Sequence, residues 1–122
     1  MKVEEVLTDP GTAEALRLFA ERGEEALLLG RELGGAVIVT AAAPLPADEE
    51  SWERLRGLRH GPVGRLRLSG GLPPPGDPFL PGDVILLAAR GTDPSSWPAH
   101  ALGWTGPGDA CRWVAVPFSP AG

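Results

Sequence analysis

The stretch VGRLRLSGGLPPPGDPFLPGDVILLAA, residues 63–89, decides how the chain is read. Residues 63–68 alternate, with Leu66 and Leu68 on one side and Arg65 and Arg67 on the other, the pattern of a strand with one apolar face. Residues 84–89 are apolar throughout and read as a strand buried on both faces. Between them Ser69-Gly70-Gly71 turns the chain, Pro73-Pro74-Pro75 stiffens it, and Pro81-Gly82-Asp83 leads it into the second strand. A strand, a long loop and a second strand make this the place to expect a site.

Working back toward the N-terminus, residues 35–43 are apolar and partly β-branched, residues 25–30 are a shorter apolar run, and 31–34 are a Gly-containing connection. Together they read as central strands of a hairpin covered on both faces. Asp9 offers an N-cap and Pro10 a first helical position, Ala15, Leu16, Phe19 and Ala20 recur at helical spacing, and Gly23 is the stop, so the pattern predicts a helix over residues 10–22. Residues 3–7 alternate weakly and read as an edge strand or a lead-in. Asp48 caps a second, short helix in which Trp52, Leu55 and Leu58 lie three apart, with Gly57 and Gly61-Pro62 at its exit. Beyond the central stretch, residues 90–98 read as a loop, and 99–104 and 112–118 as two short strands around the turn 105–109. The expectation is an α/β (α+β) fold in a single domain, 1–122. It would have a central mixed or mostly antiparallel sheet, one long N-terminal helix and one short one.

Composition narrows the class. The 122 residues suit one domain with a real core. The 17 Gly and 14 Pro require short strands and tight connections. Asn, Gln and Tyr are absent and Lys2 is the sole lysine, which fits a GC-rich genome and is compatible with a thermophile. A net charge of −5, with arginines interspersed among acids, argues against nucleic-acid binding, which needs clustered cations. One cysteine makes no internal disulfide and no thiolate zinc cage, the N-terminal residues are acidic, and no apolar run reaches membrane-span length. A cytoplasmic protein without membrane association is expected.

Several residues carry a chemical reading beside a structural one. Arg65 and Arg67, two apart on a strand, point together and could clamp a carboxylate or phosphate, or simply form a solvated face. Ser69-Gly70-Gly71 could be an anion nest or a plain turn. Asp77 and Asp83 could hold a cation or shape turns. The three prolines could present a polyproline segment, though without a flanking pattern. His60 and His100 could form an acid/base or metal pair, or be ordinary hydrogen-bonded histidines. Cys111 sits beside Arg112, a cation that would lower a thiol pKa, and reads as a nucleophile or as a structural Cys. Trp97, Trp104 and Trp113 could form an aromatic interface or complete the core.

Taken in this order the chain resembles the JAB/MPN (JAMM) domain of zinc isopeptidases in its compact prokaryotic form. The first helix is followed by Glu24-Glu25-Ala26-Leu27-Leu28-Leu29-Gly30, similar to that family's acidic residue, small residue and Leu-Leu-Gly, and then by a strand ending in Ala43-Pro44-Leu45-Pro46. Gly64-Arg65-Leu66-Arg67-Leu68-Ser69-Gly70 stands where the family has a strand carrying His-Ser-His-Pro. Residues 73–83 stand for its proline-containing loop closing with Ser-x-x-Asp, and 97–104 and 112–118 resemble its last strands. In the family two histidines and an aspartate hold zinc, while a glutamate serves as base for the metal-bound water. Arg67 and Ser69 occupy the histidine positions here, Asp83 matches the aspartate only through a longer loop, and Glu24 lies one place out of register. The resemblance therefore implies a non-catalytic member, a pseudoenzyme with no metal or other cofactor, which works by association with a protein partner or with itself, as a homodimer for example. The alternative is a small hydrolase, with Glu24, Glu25, Ser69 and Asp83 as its candidate catalytic residues, or an anion or small-ligand binder using Arg65 and Arg67.

Overall fold

The computed structural model describes residues 3–45, 50, 54, 61–68, 71–73, 82–105 and 110–120. The α1 helix, Pro10–Glu21, forms as its sequence predicts. Asp9 caps it, its Oδ1 accepting the Thr12 N–H at 2.7 Å, and Pro10 fills a position that needs no N–H. The Thr12 hydroxyl lies 3.0 Å from Asp9 Oδ2 and 3.1 Å from the Thr40 carbonyl, which ties the helix start to the sheet. Gly23, with φ of 71°, ends it.

Among the described residues, eight strands follow the order β7-β6-β5-β4-β2-β3-β1-β8 in one mixed sheet. They are β1 Glu5–Thr8, β2 Ala26–Leu33, β3 Ala36–Pro44, β4 Pro62–Arg67, β5 Val84–Leu87, β6 Ala99–Thr105, β7 Ala110–Val116 and β8 Phe118–Ser119. The β1–β3, β1–β8 and β4–β5 pairs are parallel, and the others antiparallel. Pro117 alone separates β7 from β8, yet these strands stand at opposite ends of the order. Laid flat, eight strands would span roughly 34 Å, and one residue bridges only about 7 Å. The sheet therefore curls back on itself into a nearly closed, barrel-like form. The Val6 N–H donates to the Pro117 carbonyl at 2.9 Å across the seam.

This corrects the expected α/β layer of a central sheet with one long and one short helix. Strands make up half of the structure and form a barrel-like sheet, and α1 is the one complete α-helix among the described residues. The expected short helix lies outside the described residues apart from 50 and 54. Three boundaries also differ. β1 lies between β3 and β8, so it is not an edge. β2 runs through the supposed connection as far as Leu33, because the ladder with β3 resumes after a bulge at Leu29/Gly30, and Gly34 and Gly35, both at positive φ, close a two-residue hairpin turn. The last strand breaks at Pro117, which has no N–H to continue a ladder.

One face of the sheet packs on α1. Leu16 and Ala20 of the helix meet Val6, Ala26, Leu28, Val37, Val39, Leu66, Val84 and Leu86 there. Gly30 and Gly64 mark close backbone approaches, since a Cβ at either would overlap a neighbouring carbonyl, that of Ile38 or Val84.

Two outcomes follow. Gly64→Ala should lower stability by about 1–3 kcal/mol by forcing β4 from β5, read by denaturant unfolding. The second concerns the Asp9 carboxyl, which the Thr12 N–H and hydroxyl hold below its ordinary 3.8. A depressed folded-state pKa adds stability that is present above that ordinary value and lost as pH falls through the folded one. The pH dependence of the thermal midpoint below about pH 4 should therefore flatten in Asp9→Asn, which keeps a capping oxygen without the charge.

Candidate functional site

Alternation along β4 sends Gly64 and Leu66 into the core on α1 and turns Arg65 and Arg67 to the opposite face. Register carries that face across the sheet: Leu27 lies opposite Arg65, Arg65 beside Ile85, Ile85 opposite His100, and His100 opposite Ala115. Ile85 and Leu102 are buried here, with Leu72, Leu87, Cys111 and Trp113 packed around them. The Trp113 indole N–H donates to the Pro73 carbonyl at 2.7 Å. The chain leaving β4 thus crosses this face as far as β7, and the proline-containing segment covers it at Leu72 and Pro73.

The charged centre of the face is at the end of β4. Ala26 pairs with Leu66 in an antiparallel ladder, so Glu25 falls opposite Arg67. The Arg67 Nε is 3.8 Å from Glu25 Oε2, and the same oxygen accepts the Leu68 N–H at 3.4 Å. Both side chains are partly exposed, 24% and 36%, so the pair is screened and contributes modestly. Arg67 is turned toward Glu25, and Arg65 lies two residues away on the same face. Nothing in the local sequence marks that pairing, which depends on a register between strands some 40 residues apart.

The other sequence candidates are dispersed. Glu24 is exposed at the helix exit, its N–H bonded to the Phe19 carbonyl at 3.0 Å, which leaves Glu25 as the acid at the head of β2. Asp83 is buried, 7% exposed, and its carbonyl accepts the Leu102 N–H. It lies at the start of β5, next to Val84, whereas Arg67 is level with Leu87. Four residues of strand put about 13 Å between the two positions. His100 shares the Arg65 face two strands away, with a buried Nδ1 that has no hydrogen-bond partner. Ser69, Asp77 and His60 lie outside the described residues. Among the described residues no three of His, Cys, Asp and Glu gather closely enough to hold a metal ion.

Trp97 and Trp113 lie on opposite faces of the sheet. Trp97, 4% exposed, belongs to the core on α1, and its indole N–H donates to the Thr92 hydroxyl at 2.8 Å. Trp113 is on the opposite face, and the Trp104 side chain lies outside the described residues. Cys111 is half-buried against Ile85 and Leu102, and strand alternation turns Arg112 away from it.

A separate open groove runs between the start of α1 and the 3-10 turn Pro94–Ser96, lined by Ala13, Glu14, Arg17, Asp93 and Pro120. Its charges satisfy one another or the backbone. Arg17 Nε donates to Glu14 at 2.9 Å and holds that carboxyl below its usual range, while the Ser95 N–H and hydroxyl do the same for Asp93.

No helix among the described residues is long and apolar enough to cross a membrane. A double-mutant cycle on Glu25→Ala and Arg67→Ala should give a coupling of about 0.2–1 kcal/mol that shrinks as salt is raised, measured by denaturant unfolding. A scan against models of protein families matches none of them, and a search of curated proteins finds no sequence match.

Proposed function

We propose that the chain is a JAB/MPN-like domain without the family's metal chemistry, acting through association with protein, its own copies included. The observation that supports the absence of metal chemistry is the opposition of Glu25 and Arg67. In the resemblance, an acid on the strand after the first helix serves the zinc-bound water, and the strand equivalent to β4 carries the zinc histidines. Here the acid heads β2 and faces Arg67, at the first of those histidine positions. A guanidinium has donors only and stays protonated, so it cannot ligate zinc, and it would repel the ion. Its guanidinium instead lies beside that acid. Asp83, as third ligand, is at the wrong end of β4 and β5. The residues present do not fit the metal, and no hydrolytic step is assigned.

Purified chain should contain no stoichiometric zinc by elemental analysis, whether or not zinc is supplied during expression. A wild-type chain holding one tightly bound zinc overturns the reading.

A further inference from the structure

The Arg67 side chain is largely withdrawn from water, and its Nε is buried and donates to no described residue. Glu25 Oε2, at 3.8 Å, is near enough for an ion pair and too far to accept a hydrogen bond. That oxygen takes the Leu68 N–H instead. A guanidinium carries five donors and no acceptor, and a half-buried one ordinarily directs them to a carboxylate, a phosphate or a carbonyl. Strand register gives the two sides of Arg67 different characters. Across β2 stands Glu25, whereas across β5 stands Leu87, level with Arg67 and half-buried against Ile85 and Leu102. Arg65, two residues away on the same face, adds a second cation, and Asp83 is about 13 Å from Arg67 at the other end of the strands.

We propose that Arg67 anchors a binding site for small carboxylates that carry a short apolar body. The planar guanidinium fork matches the two oxygens of a carboxylate, which supply the acceptors that Glu25 does not. The apolar body then lies over Leu87, on the side away from Glu25. Phosphate is the poorer fit, because its higher charge meets the Glu25 carboxylate and it has no apolar part to cover Leu87. Glu25 competes for the guanidinium, so it weakens binding without taking part in it. The inference goes beyond the association reading and uses only Arg67 and its neighbours. A zinc-free, self-associating chain that binds no carboxylate would overturn it and leave that reading standing.

The test is an NMR titration of the isotope-labelled full chain near neutral pH with isobutyrate and, separately, with inorganic phosphate, chloride being withdrawn to hold the ionic strength constant. The Arg67 Nε–H and the Leu68 amide should shift together and saturate with isobutyrate, a readout that needs no variant to fold. Arg67→Met, which keeps the aliphatic stem without the donors, should weaken binding at least about tenfold. Glu25→Gln should tighten it about two- to fivefold. Arg17→Met, which removes a cation of the separate groove beside α1, should leave it unchanged. An Arg67 Nε–H that does not saturate with isobutyrate, an affinity undiminished by Arg67→Met or lowered by Glu25→Gln, an equal loss in Arg17→Met, or phosphate bound more tightly than isobutyrate would each overturn the proposal.

Discussion

The structure depends on one short connection. Pro117 joins the two outermost strands of an eight-strand order, and that is geometrically possible only when the sheet curls until its ends meet. One face of the curled sheet packs on α1 through Leu16 and Ala20. It also fixes where the tight places fall. At Gly30 and Gly64 a neighbouring strand's carbonyl comes so close that no side chain fits, and both lie within the ladders around β2 and β4. Packing, closure and the absence of side chains at these points are one solution to a single constraint.

The face turned away from α1 combines an apolar floor with an uneven distribution of charge. Ile85 and Leu102 are sealed, Trp113 anchors the passing chain at Pro73, and Arg65 and His100 flank Ile85 from the neighbouring strands. Arg67 and Glu25 are at one end and Asp83 at the other. A catalytic constellation needs its groups within hydrogen-bond reach of a shared reacting atom, and the strand register holds these apart. What the face offers is a stable surface, with an ion pair where the resemblance would put metal and base.

Local features of the sequence were legible, and long-range ones were not. Asp9, Pro10 and Gly23 bracket α1 because capping and helix exit are decided within a few residues. The hairpin of β2 and β3 was legible as apolar runs, although Arg31 and Glu32 suggested a loop while the backbone ladder continued beneath them. The alternation that separates Arg65 and Arg67 from Leu66 held, since it follows from the strand alone. Closure was hidden because it rests on parallel pairing of residues near the two ends of the chain. Burial also decided matters that composition could not: Trp97 and Trp113 are the same residue type in neighbouring stretches, yet one fills the core and the other pins a loop. The site suffered most, since its pairing of Glu25 with Arg67 exists only once β2 and β4 are in register.

The seam between β1 and β8 has a consequence for how the molecule is made. Val6 pairs with Phe118, while Leu33 pairs with Ala36 across a two-residue turn. Closing the first contact costs far more chain entropy than closing the second, and that cost comes before any stabilisation is gained. During synthesis β1 can find β3 early, but its other edge stays bare until the last strand has left the ribosome. Over that interval an unpaired edge beside a partly built core is the form most exposed to mispairing, and the two residues of β8 are what end it.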